Sequence, residues 1–197
     1  MKKTIEFYGL VGFFKLIMNL MLSKLIVANS RLIRRPVYIR GKNKIKFGKG
    51  LTTGIGLRLD ADSKSNRRCI EIGDNVQMND YVHIAAIESI KIGNNVLIAS
   101  KVFITDHNHG SYNGAENSDP LVNPYDRKLY SSPVEIRDRV WIGEFVSVLP
   151  GVIIGEGSII GTMSVVTKNV PSYSIAVGSP AKVIKKYNFK EKKWQKI

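Results

Sequence analysis

Ile136-Arg-Asp-Arg-Val-Trp, Ile142-Gly-Glu-Phe-Val-Ser, Val148-Leu-Pro-Gly-Val-Ile, Ile154-Gly-Glu-Gly-Ser-Ile, Ile160-Gly-Thr-Met-Ser-Val, Val166-Thr-Lys-Asn-Val-Pro: from Ile136 to Pro171 the chain repeats every six residues. An aliphatic residue opens each block and Val or Ser stands four places later. A six-residue period is the signature of a parallel β-helix, in which each block is one short strand and a turn. The opening aliphatic points inward. Three blocks make a coil, so equivalent positions recur every 18 residues, as at 136 and 154. No coil buries its apolar side alone; stacking makes the core continuous.

A second array lies upstream. It reads Ile72-Gly-Asp-Asn-Val, Met78-Asn-Asp-Tyr-Val and Ile84-Ala, then Ile92-Gly-Asn-Asn-Val, Ile98-Ala-Ser-Lys-Val and Ile104-Thr. The phase slips by two residues between Ile84 and Ile92, which a corner loop absorbs. A weaker start appears at Phe47-Gly-Lys-Gly-Leu, and Asp60 to Arg68 reads as a polar loop. About five coils are expected, interrupted once, between Ile104 and Ile136. A β-sandwich with frequent glycine turns would not hold a fixed six-residue phase.

The 197 residues make one domain with appendages. One cysteine, Cys69, excludes an intramolecular disulfide and fits a reducing, cytoplasmic setting; it reads as a small buried residue. The net charge of +14 favours anionic partners. Nucleic acid is disfavoured, because the basic residues cluster at the two ends, Arg31 to Lys49 and Lys182 to Lys196, without interleaved aromatics.

Residues Ile5 to Val27 are apolar at helical spacing, with a narrow stripe of Tyr8, Gly12, Lys15, Asn19 and Ser23. Lys15 and Lys24 interrupt the run, so a spanning helix of about 20 apolar residues fits poorly. Glu6 and the lack of a small-x-small site argue against a signal peptide. A helix packed on the coil or on a neighbouring subunit, or one lying on the inner face of the cytoplasmic membrane against anionic lipid, are both open.

The long interruption, residues 105–132, opens with "ITDHNHGSYNG" and carries two of the three histidines, His107 and His109, with His83 lying earlier. A long loop on a rigid scaffold is a natural place for chemistry. Tyr112, Tyr125, Asp106 and Arg127 there suit a carbohydrate, whose faces stack on rings and whose hydroxyls need polar partners.

The array, the string "VWIGEFVSVLPGVIIGEGSIIG" and the ending "VVTKNVPSYSIAVGSPAKVIKK" resemble the hexapeptide-repeat acyltransferases, and within them the maltose/nodulation-type and surface-polysaccharide O-acetyltransferases. The resemblance covers roughly residues 45 to 186. It implies an all-β fold, a left-handed parallel β-helix, although the repeat itself carries no hand. It further implies a homotrimer that binds acetyl-CoA, as acyl donor, between adjacent subunits. Sugar O-acetylation in bacterial surface polysaccharide assembly is the implied activity, by direct transfer with a histidine general base.

Ungapped counting from Ile104 places the family histidine on His109, with His107 as the second choice. Asn79 matches a family asparagine near that ring. Trp141 matches a tryptophan beside the pantetheine arm. Gly143, Gly161 and Thr162 lie at the same edge of successive coils. Thr167, Lys168 and Lys182 match positions near the adenine and phosphates. A backbone N–H of Gly143 or Glu144 in the next subunit is an oxyanion candidate. Met163 departs from the small residue usual at its corner and would narrow the donor channel.

The resulting organisation is an N-terminal helix over 1–35, a β-helix over 36–184 and a short basic tail over 185–197. An N-acetyltransferase of an amino sugar, a xenobiotic acetyltransferase and a non-catalytic scaffold remain as alternatives. Zinc chemistry of the γ-carbonic-anhydrase type is disfavoured and no metal is expected, because His107 and His109 stand only two apart and His83 lies 24 residues before His107, a spacing unlike that family's.

Overall fold

A computed structural model describes residues 2–65, 67–112 and 116–197; Asn113 and Gly114 of the quoted loop string lie outside them. The six-residue blocks fold as anticipated into short parallel strands, and these stack into three sheets that form the faces of a prism.

The aliphatic openers build three interior columns. Ile72, Ile92, Ile136 and Ile154 form one, Met78, Ile98, Ile142 and Ile160 the second, and Ile84, Ile104, Val148 and Val166 the third; all are buried. The pairing register shows why the period works. Ile98 pairs with Met78 and Ile142, and Ile104 with Ile84 and Val148, so like stacks on like. The insertion between Ile104 and Ile136 leaves this register intact.

Outward residues give each face its character. The first face carries Gln77, Leu97, Trp141 and Ile159. The second carries Arg58, His83, Phe103 and Ser147. The third carries Lys46, Glu71, Lys91 and Glu135, a ladder of alternating charge suited to water.

The coil is longer than its repeats suggest. It begins at Leu32, since Leu32–Ile33 pair with Thr52–Thr53, Val37–Arg40 with Leu57–Asp60, and Ile45 with Ile70. These early strands lack the hexapeptide spacing because longer corners separate them. Asp60, expected in a polar loop, lies inside the strand Leu57–Ala61, where Leu57, Leu59 and Ala61 point inward and Arg58 and Asp60 outward.

Residues 185–197, expected as a tail, are largely strand. Lys182–Asn188 pairs antiparallel with Ser174–Val177, and Lys193–Lys196 pairs with it in turn. Tyr173, Tyr187, Phe189 and Trp194 meet edge to face and give this hairpin its own apolar contacts. Cys69 is buried, as anticipated.

Helix α1 spans Lys2–Ile26 and breaks at Gly9, whose φ of 66° is outside the helical region. Its last turn is locked to the first strand. The Ile33 N–H donates to Ser23 Oγ at 2.6 Å, and Ser30 Oγ donates to the Val27 carbonyl at 2.7 Å.

Candidate active site

The corner between the second and third faces is where the 105–132 loop leaves and rejoins the coil. The Ser132 N–H donates to the Asp106 carbonyl at 2.8 Å, closing the loop at its root. Within it His107–His109 pairs antiparallel with Leu129–Ser131, so both histidines sit on a short ribbon beside the coil. Below them an open cavity of ≈ 1230 Å³ runs along the second face. His83, Phe103, Thr105, His107, His109 and Tyr125 line it, and Arg40, Arg58 and Asp60 stand at its far end.

Asp106 is completely buried. Its carboxylate accepts from the N–H groups of Ile87, Glu88 and Ser89 at 2.8–3.2 Å and stands 2.9 Å from His107 Nδ1. Burial pushes its pKa up, but the bonds from His107 and from the three amides outweigh that and hold the group below the usual carboxylate range. An ionised Asp106 fixes the His107 proton on Nδ1 and leaves Nε2 as an acceptor. Asp106, expected to touch substrate, is therefore shut away from it and works on the ring.

His109 is more exposed, and its Nδ1 faces the Pro124 carbonyl at 3.3 Å. Both histidines thus keep Nε2 available, but only His107 has a carboxylate behind it. Ungapped counting favours His109; the aspartate directly before His107, bonded to its ring, is the signal that points to His107 instead.

Tyr112 and Arg127, expected at the substrate, hold the loop instead. Tyr112 Oη donates to the His109 carbonyl at 2.5 Å. Arg127 spreads its donors over Val122 O, Pro120 O and Tyr112 Oη at 2.9–3.1 Å. Tyr125 is almost wholly exposed at the cavity rim, where a ring can stack on a sugar.

A second cluster was missed by the sequence reading. Asp60 Oδ2 accepts from Arg58 Nε at 2.7 Å and lies 3.0 Å from His83 Nε2, while Arg40 Nε is 3.0 Å from Oδ1 as an ion pair without hydrogen-bond alignment. Partial burial raises the Asp60 pKa, and His83 with the two guanidiniums more than reverses this. Arg58 and His83 are register partners on adjacent coils. That alignment, 25 residues apart, is invisible without the coil length.

The remaining expected residues lie elsewhere on the chain. Asn79 follows the first face, at the corner leading to the second, and its side chain meets Gln77 at 3.5 Å. Trp141 stands half exposed on the first face between Leu97 and Ile159. Thr162 is exposed at the same corner as Asn79, and Thr167, Lys168 and Lys182 are exposed toward the C-terminal end.

Gly143 is buried rather than open. A Cβ there would come within 2.7 Å of the Thr162 nitrogen, so the glycine permits coil stacking. Its N–H is bonded to the Ile160 carbonyl at 2.8 Å and cannot serve an oxyanion. Gly161 lies against Val177 in the same way. None of these residues lines the histidine cavity. The exposed corner residues Tyr81, Lys101, Phe145 and Met163 all hold φ of 57–58°, and Lys101 Nζ sits 4.6 Å above the Phe145 ring.

A stacked parallel coil with a histidine-bearing loop over a cavity defines a hexapeptide transferase. Residues 133–168 match the family "Bacterial transferase hexapeptide (six repeats)". A protein of Escherichia coli strain K12, provisionally named lipopolysaccharide biosynthesis O-acetyl transferase WbbJ, is 51% identical over 195 residues, 98% of each chain. A hexapeptide-repeat acetyltransferase of Vibrio cholerae O1 biovar eltor, solved with acetyl coenzyme A, is 25% identical with a TM-score of 0.58, covering 73% of this chain and 70% of that one. The N-acyltransferase AntD of Bacillus cereus, solved with dTDP and 3-hydroxybutyryl-CoA, has a TM-score of 0.68 at 22% identity over 83% and 82% of the two chains, a likeness of fold. The chain belongs to the hexapeptide-repeat acetyltransferase family, and its coil is the left-handed β-helix of that family.

Proposed function

We propose that this acetyltransferase moves the acetyl group of acetyl-CoA to a sugar hydroxyl during assembly of a bacterial surface polysaccharide, with His107 as general base. The observation that carries this reading is the buried Asp106 carboxylate 2.9 Å from His107 Nδ1, beside a cavity large enough for a glycan end. The lipopolysaccharide name of the 51% identical relative supports the acceptor class.

Acetyl-CoA supplies an activated thioester. His107 Nε2 takes the proton of the acceptor hydroxyl as that oxygen attacks the thioester carbonyl, and ionised Asp106 stabilises the imidazolium that forms. The C–S bond then breaks, and the departing CoA thiolate leaves as the thiol with the proton held on His107. Tyr125 and Phe103 offer faces to the sugar. Among the described residues no acceptor faces the Glu144 N–H, so it, and not that of Gly143, is the available oxyanion donor of the pair.

The exposed surface fits the donor. Trp141 and Leu97 give an apolar strip for a pantetheine arm, and Lys168 and Lys182 give exposed cations for phosphates. These residues and Asn79 lie away from the loop histidines of their own chain, which supports a homotrimer in which neighbouring copies complete each site. The acetyl-CoA and acceptor reading is tested by thiol release with a panel of sugars and glycolipids. His107→Ala is expected to lose roughly 10²–10⁴-fold in kcat with CoA binding retained. Retained activity there, with loss in His109→Ala, would move the base to His109.

A further inference from the structure

The amphipathicity of α1 is inverted. Its polar residues face the protein: Asn19 Oδ1 accepts from Arg35 Nε at 3.2 Å, Tyr8 Oη from Arg34 Nη2 at 3.3 Å, and Ser23 is fully buried against Ile33. Much of its apolar surface faces outward. Leu10, Val11, Phe14, Met18, Leu20, Met21 and Leu25 are all exposed, Leu25 by 78%. At 3.6 residues per turn they cover roughly half the circumference of the arm after Gly9. An outward apolar face of this size marks an interaction surface.

We propose that this face is buried in the interfacial layer of a bilayer containing anionic lipid, with α1 lying in the membrane plane. Charge complementarity selects the bilayer. The first 40 residues hold eight Lys and Arg, namely Lys2, Lys3, Lys15, Lys24, Arg31, Arg34, Arg35 and Arg40, against the single acid Glu6. Basic residues beside an apolar helical face are what headgroups and acyl chains together reward.

The helix is apolar enough to cross a membrane by composition, with a mean hydropathy of 1.6 over its best window. Geometry argues for lying flat. The break at Gly9 leaves 17 residues, Leu10 to Ile26, about 25 Å of helix against a hydrocarbon core of about 30 Å. The bonds from Tyr8, Asn19 and Ser23 also tie nearly its whole length to the protein's flank.

The test is sedimentation of the full-length protein with phosphatidylcholine vesicles, with and without phosphatidylglycerol. Wild type is expected to pellet with the anionic vesicles, and high salt to weaken this. Replacing Phe14, Met18 and Met21 together by Gln is expected to cut binding at least ~10-fold, while molar mass in solution and thiol release with a soluble acceptor stay unchanged. Equal binding by the triple variant, or none by wild type, overturns the proposal. A lower molar mass in the triple variant would assign the face to a second copy of the chain, and wild type resisting alkaline carbonate would show a spanning helix; either also overturns it. Thiol release reports on the acetyl-transfer reading separately.

Discussion

Asp106 Oδ1 lies 2.9 Å from His107 Nδ1, and the same carboxylate accepts from three consecutive backbone amides of the neighbouring corner. Orientation of the proposed base and architecture of the coil thus share one side chain. Asp106→Asn is expected to lower kcat at least ~10-fold, because an amide can present its NH2 to the ring and no longer stabilises imidazolium. It should also cost roughly 1.5–3 kcal/mol of stability, through loss of bonds to a charged acceptor. Steady-state kinetics and denaturant unfolding of the same variant check both.

The depressed pKa of Asp106 sets an acid limit on stability. A carboxyl with a lower folded than unfolded pKa stabilises fully above about 3.9 and loses that contribution as pH falls through the folded value. Asp60 acts in the same direction. The melting temperature of wild type should therefore fall below about pH 4, and more steeply than that of Asp106→Asn. Parallel slopes in the two proteins would remove Asp106 from the account.

Gly143→Ala should destabilise the coil without any ligand. The added carbon would lie 2.7 Å from the Thr162 nitrogen and 2.9 Å from the Ile160 oxygen, both backbone atoms of the next coil that cannot step aside alone. A loss of roughly 1–3 kcal/mol is expected, as for other overpacking changes. An unchanged unfolding midpoint would show that the coils have slack here.

Met163 should be replaceable with profit. It holds φ of 58° and is 70% exposed, so it carries the left-handed Cβ penalty and buries little. Met163→Gly is expected to raise stability by up to about 1 kcal/mol. If Met163 also narrows the donor channel, the variant should use longer acyl-CoA thioesters better relative to acetyl-CoA, which competition between donors measures.

The coil was legible because its rule is periodic: one aliphatic every six residues maps directly onto three buried columns. Its first turns were not, since Leu32 to Leu57 follow corners of varied length and keep the burial without the spacing. The loop could be located but its interior could not. Arg127 and Tyr112 look like substrate contacts in a string of letters, and only the folded loop shows their donors spent on itself. The Asp60 cluster was hidden for another reason: Arg40, Asp60 and His83 meet only once three coils are stacked. The outward face of α1 was equally unreadable, because periodicity shows that a helix has two sides and not which one meets the protein.

The chain leaves the coil at Asp106 and returns at Ser132, and those two residues are joined by a single backbone hydrogen bond. Below that joint, Phe103–Thr105 and Val134–Ile136 stay in register with their neighbours as if nothing intervened. The segment above it is thus a cartridge on a fixed socket. On the proposed acetyl-transfer mechanism, exchange of residues 108–131 between relatives is expected to change acceptor preference while leaving the coil and the His107–Asp106 pair in place. Change confined to this one loop can therefore leave every coil as it was.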